Sequence, residues 1–187
     1  MNHLLRLAKQ AGSKPRVHGN GFLQLDLSPT TRLHIWGHPD VPKQKVDTPI
    51  HNHRFAFTSL VLRGTMLNHL YWVDPITSNP THRVYHAKVR TQEDTILDKT
   101  SDTVKVFPKG QQEIHAGSFY TMAEGEVHES IVRELTVTVI LKSGPTLAQG
   151  GPTPTVYVPL DVTPDNSFNR YSLPVQDLWR TIHETLK

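Results

Sequence analysis

A mainly β fold, an antiparallel sandwich or jelly-roll barrel with a short helix at each end, is what this sequence predicts. Three observations carry the prediction. Roughly eight to ten short segments alternate apolar and polar residues or are rich in β-branched and aromatic side chains. Fourteen prolines and eleven glycines are spread along the chain, which implies many turns. Helical spacing of apolar residues occurs only near the two ends. The 187 residues suit one domain over 1–187, with a barrel core at about 20–160 and a C-terminal helix at about 173–186.

The elements follow in order. His3 to Ala11 carries Leu4, Leu5, Leu7 and Ala8 at helical spacing, and Gly12 and Pro15 end it. Phe22 to Leu27 alternates as a strand, and Ser28-Pro29-Thr30 turns the chain. Thr31 to Trp36 alternates again, with Leu33 and Ile35 on one side and Arg32, His34 and Trp36 on the other. Gly37 to Asp47 reads as a polar loop. Arg54 to Leu62 is the strongest strand, Arg63-Gly64-Thr65 is a turn, and Met66 to Val73 is its hairpin partner. Thr81 to Arg90 is a strand, Thr91 to Ser101 is polar without a clear period, Thr103 to Phe107 is a strand, and Pro108-Lys109-Gly110 is a turn. Val127 to Lys142 is a long strand or a strand pair after the turn Glu124-Gly125-Glu126. Ser143 to Pro154 is a Gly/Pro-rich connector, and Thr155 to Leu160 is a last strand. Leu173 to Leu186 has an apolar stripe through Val175, Leu178, Trp179, Ile182 and Leu186. That helix packs on the barrel or forms a dimer face, and a homodimer is an expectation.

Composition narrows the function. There is no cysteine, which excludes disulfides, thiolate nucleophiles and zinc–thiolate sites. No apolar run approaches the roughly 20 residues of a membrane span. The first residues lack the apolar stretch of a signal peptide, so a cytoplasmic protein without membrane partners is expected. A net charge of +3, with the cations dispersed, gives no footprint for nucleic acid. Twelve histidines are the main clue.

Thr48-Pro49-Ile50-His51-Asn52-His53 leads into the strongest strand, and alternate residues of a strand share a face. His51 and His53 therefore point the same way, and a metal ion held by both needs a third ligand. His128, which ends Gly117 to His128, is the candidate. Neutral imidazole is the commonest metal ligand, and three of them leave coordination positions open for chemistry. Fe(II), Zn, Mn and Ni all fit such a set. His69, His86 and His115 are further candidates for a fourth ligand or a base. Tyr120, Glu134 and His69 are candidate proton shuttles, and Tyr71, Tyr85 and Glu129 carry less support. Arg54, Arg63 and Arg133 are candidates to hold an anionic substrate group, because a guanidinium fork suits carboxylate and phosphate. Phe57 is read as pocket wall.

The two histidine stretches resemble the two sequence motifs of the cupin superfamily. In the first, His51, His53 and Gly64 fall in register, the motif's Glu ligand falls on Phe57, and its opening Gly falls on Lys45. In the second, Gly117, Gly125 and His128 fall in register, while Ala123 and Val132 stand where the motif has Pro and Asn. The resemblance covers about Lys45 to Lys142 and implies a cupin-type double-stranded β-helix. Replacement of the Glu ligand resembles cupins with a three-histidine site, such as the cysteine dioxygenase-type thiol dioxygenases. These imply Fe(II), O2, a small-molecule substrate and an Arg holding its anionic group. The expected function is thus an enzyme, a non-haem Fe(II) dioxygenase acting on a small polar or anionic substrate. The alternatives are a metal-dependent sugar or carboxylic-acid isomerase, epimerase or lyase, and a non-catalytic ligand-binding or regulatory cupin.

Overall fold

The computed structural model describes residues 2–42, 49–91, 94–143, 153–164 and 169–187. The expected opening-glycine position at Lys45, the end of the 37–47 loop and most of the 143–154 connector lie outside them. The elements are α1 (Asn2–Gln10), β1 (Arg16–His18), β2 (Phe22–Asp26), β3 (Thr31–Trp36), β4 (Ala56–Arg63), β5 (Thr65–Asp74), β6 (His82–Thr91), β7 (Asp94–His115), β8 (Phe119–Met122), β9 (His128–Val132), β10 (Thr136–Ser143), β11 (Thr155–Pro159) and α2 (Val175–Thr185). The fold is mainly β, an antiparallel jelly roll of two sheets. One sheet is ordered β1-β2-β3-β10-β4-β8 and the other β11-β6-β7-β5-β9. Among the described residues no helix is long and apolar enough to cross a membrane.

Alternation decides where each side chain goes. In β4, Phe57, Ser59 and Val61 are buried, while Leu60 and Leu62 are exposed. The buried set meets Met66, Leu70, Ile114, Tyr120, Met122 and Ile140 between the sheets. The first sheet is covered on its other face as well. Leu23, Leu25, Leu33, Ile35 and Val137 pack there against Leu5 and Ala8 of α1 and Leu178, Trp179 and Ile182 of α2. The stripe of α2 is thus packed on the sheet, the first of the two roles expected of it. Leu33 and Ile35 face the helices, so Arg32, His34 and Trp36 face the space between the sheets.

Three details differ from the sequence reading. Pro108-Lys109-Gly110 is not a turn: β7 continues through it, with Gly110 opposite Leu70 and Pro108 opposite Tyr71, so Lys109 is an extra residue in the ladder. A bulge accommodates the proline, which has no N–H to give to the ladder. Within the polar stretch Thr91 ends β6 and residues 94–101 belong to β7, because cross-strand pairing between the two supplies what the composition does not signal. Met66 to Val73 is not the hairpin partner of β4: β5 pairs with β7 and β9 in the second sheet, while β4 pairs with β10 and β8 in the first. Val127 to Lys142 is the strand pair of the two expected forms, β9 on β5 and β10 between β3 and β4. Gly64 makes the tight β4–β5 turn at φ +75°, where a Cβ would come within 2.5 Å of Thr136 Oγ1 and 2.7 Å of the Leu135 carbonyl oxygen.

A three-histidine cluster in a cationic cavity

Residues 49–53 run between β9 and β11, the two edge strands of the second sheet. His51 N–H donates to the His128 carbonyl and His128 N–H to that of His51, both at 2.9 Å. On the other side Tyr157 N–H donates to the Ile50 carbonyl and Asn52 N–H to that of Thr155, and the Asn52 side-chain oxygen accepts from Thr155 N–H at 2.8 Å. Gly125 N–H donates to the His53 carbonyl at 2.9 Å. The two histidine stretches are therefore fixed against each other by backbone bonds.

This framework brings His51, His53 and His128 together. One ring nitrogen from each lies within 4.8 Å of the others. The ring centroids are 4.8 Å apart for His51 and His53, 4.7 Å for His51 and His128, and 5.2 Å for His53 and His128. His51 Nδ1 is 2.6 Å from the Pro49 carbonyl and His128 Nδ1 is 3.1 Å from that of Glu126. A carbonyl only accepts, so each Nδ1 carries the proton and each Nε2 keeps its lone pair for a ligand. Burial pushes all three pKa values down, that of His128 to about 3. At neutral pH the cluster is three neutral imidazoles, the donor set a divalent transition metal takes.

Phe57, at the position of the expected Glu ligand, is 3% exposed. Its ring lies 5.3 Å from that of His53, edge to face, and 6.3 Å from that of His128. It supplies an apolar wall and no donor atom. The cluster opens into a cavity of about 240 Å³ between the two sheets.

The other sequence candidates divide between inside and outside. Arg54 and Tyr120 line the cavity. Arg63, Arg133 and Glu134 are exposed at strand ends and do not line it. His69 lies on the opposite face of β5 from the buried Asn68 and Leu70. There its Nδ1 is 2.8 Å from Glu129 Oε1, which also accepts from the Tyr71 hydroxyl at 2.7 Å. His86 and His115 also lie outside the cavity lining, and Tyr85 packs with Val156 and Val158.

Sequence reasoning missed the cavity floor. Arg16, Gln24, Arg32 and His34 line it together with Phe22 and Trp36. Arg16 donates to Asp26 at 2.7 Å and Arg32 Nε donates to the other Asp26 oxygen at 2.8 Å. Burial would raise the Asp26 carboxyl, but the two guanidiniums hold it below its ordinary range. The Gln24 side-chain oxygen, oriented to suit its neighbours, accepts from both arginines. Arg54 and Arg170 also line the cavity, and none of its described lining residues is acidic. The alternation of Arg32, His34 and Trp36 against Leu33 and Ile35 was the available signal, since a strand covered on its Leu33 side must turn the polar trio inward.

No protein-family description matches the chain, and no curated protein matches it. Among solved structures it is similar to an X-ray structure of YcfD from Escherichia coli, at 13% identity and a TM-score of 0.41, over 99% of this chain and 59% of that one. A second structure, of YcfD described as a ribosomal oxygenase from Escherichia coli, matches at 13% identity and a TM-score of 0.36, over 99% of this chain and 57% of that one. A third, of the same oxygenase in complex with cobalt and 2-oxoglutarate, matches at 12% identity, the same TM-score of 0.36 and the same coverage. The chain thus spans less than two thirds of the length of these proteins. At this distance no residue role or activity carries over. What the fold and site define is a jelly-roll protein with three clustered histidines in a cavity rich in arginine.

Proposed function

We propose that this chain is a cupin-type metalloenzyme, an oxygenase that holds Fe(II) with His51, His53 and His128 and acts on a small anionic substrate. One observation supports the metal site above all others. Three neutral imidazoles converge, and two of them are locked by backbone carbonyls in the tautomer that leaves Nε2 for the ion. Bound there, the ion would offer open coordination positions at which O2 and substrate meet. Three histidines alone suit Zn, Mn or Ni as well, and iron is taken from the resemblance to three-histidine cupins, in which the motif's carboxylate position is likewise lost, here to Phe57.

The protein's own residues supply the rest. Phe55, Phe57 and Ile140 line the cavity and keep that side dry, which strengthens charge interactions inside it. Arg32 is bonded through Nε, and among the described residues its two terminal nitrogens have no hydrogen-bond partner, so they are placed to take an anionic group in bidentate fashion. Asp26 and Gln24 fix that guanidinium in advance, which lowers the ordering cost of binding. Arg54 adds positive charge at the same cavity. The isomerase or lyase reading is weaker: of Tyr120, Glu134 and His69, only Tyr120 lines the cavity, and burial pushes its pKa up.

The test is oxygen uptake by protein reconstituted anaerobically with Fe(II) and offered small carboxylates and thiols. Iron-dependent uptake that is lost in His53→Ala and weakened in Arg32→Gln is expected. Turnover of such substrates without oxygen, or with zinc as readily as with iron, would overturn the oxygenase reading.

A further inference from the structure

The inner face of a sheet in a β sandwich is ordinarily apolar. Half of the first sheet follows that rule apart from small hydroxyl residues such as Ser59 and Thr138: its β10, β4 and β8 strands place Ile140, Phe57, Val61 and Met122 in the core. The β1-β2-β3 half does not. Cross-strand register there aligns Arg16, Gln24 and His34 in one row, with Asp26 and Arg32 beside them. Five polar residues on the inside of a sandwich indicate a ligand floor.

His34 is the most telling of them. It is 5% exposed, and neither ring nitrogen has a hydrogen-bond partner among the described residues. Leaving a buried polar atom unpaired costs roughly 1–3 kcal/mol. Burial pushes its pKa down to about 3, so it is a neutral donor and acceptor, not a cation. It lines the cavity, and its ring lies 4.7 Å from that of Phe22, which in turn is 4.0 Å from that of Trp36. The floor therefore joins a fixed guanidinium, a neutral imidazole and flat aromatic rings.

We propose that this floor recognises a flat aromatic or heteroaromatic carboxylate carrying a neutral hydrogen-bonding group, with Arg32 taking the carboxylate and His34 the neutral group. Arg32 and His34 lie two residues apart on one face of β3, about 7 Å along the strand. A benzene ring with para substituents spans such a gap, and ortho substituents do not. The cavity of about 240 Å³ admits one ring with its substituents and little more. This names the substrate class of the site proposed above and rests on that reading only for the direction the ring faces, towards the three histidines.

Calorimetric titration of the full chain tests it, on protein as purified and again after EDTA treatment. The probes are 4-hydroxybenzoate, 2-hydroxybenzoate and benzoate. The 4-hydroxy compound is expected to bind about tenfold more tightly than either of the others, the worth of one well-placed hydrogen bond to an otherwise unpaired buried group. In His34→Phe that preference falls to about 1, His34→Gln restores part of it, and Arg32→Gln weakens all three probes together. Equal or absent binding of the probes by the wild type, or a preference that survives His34→Phe, would overturn the proposal. Because the preference is read in EDTA as well, failure of the iron site would leave it intact, and its own failure would leave the iron site intact.

Discussion

Replacing His34 by Leu changes how the protein responds to acid. In the fold His34 titrates at about 3, against an ordinary value of 6.5. Above pH 6.5 the residue is neutral whether folded or unfolded and adds no pH dependence. As the pH falls below 6.5 the unfolded chain takes up a proton that the folded protein refuses, so stability drops, and the loss is complete only below pH 3. From 6.5 to 5 the drop is about 1.5 pH units at about 1.4 kcal/mol each, or roughly 2 kcal/mol from this one side chain. His18, His51, His53 and His128 are lowered as well, but they are present in both proteins and cancel in the comparison. Urea denaturation in EDTA at pH 7 and pH 5 reads the effect free of metal binding. The variant is expected to lose about 2 kcal/mol less than the wild type between the two pH values. An equal loss in both would refute the placement of His34 as a buried neutral residue, and with it the reading of the cavity floor.

Two further outcomes follow from other parts of the fold. Gly64→Ala puts a Cβ within 2.5 Å of Thr136 Oγ1 at a positive φ, and a loss of at least about 2 kcal/mol in denaturant unfolding is expected. Glu129→Gln removes the carboxylate that accepts from Tyr71, whose pKa burial and that bond together raise well above its ordinary value. Ultraviolet titration should show the Tyr71 pKa falling in the variant while burial keeps it above 10, and no fall would place Glu129 outside that network.

Much of the fold could be read from alternation and turn residues. The strands β4 and β5, the turn at Gly64 and the two end helices needed nothing else, because local period and the glycine specify them. That β5 crosses to the second sheet instead of pairing with β4 depends on partners far along the chain. The His51, His53 and His128 set was legible because one strand step fixes the first pair and the cupin-like register points to the third. Glu134 lies outside the cavity for a physical reason. It shares parity with His128 only if the strand runs on, and the chain instead leaves the second sheet between β9 and β10. The position of His69 outside the cavity was not legible, because period shows which residues of β5 share a face but not which face meets the cavity. The partnership of Arg16, Arg32 and Asp26 crosses three strands, so it depends on register that only folding reveals.

Metal analysis of the untagged protein tests the central claim most directly, set beside a His51→Ala/His128→Ala variant. About one iron per chain in the wild type and none in the folded variant is the expected result. Absence of metal from both, after anaerobic exposure to Fe(II), would contradict the three-histidine centre and the oxygenase reading built on it.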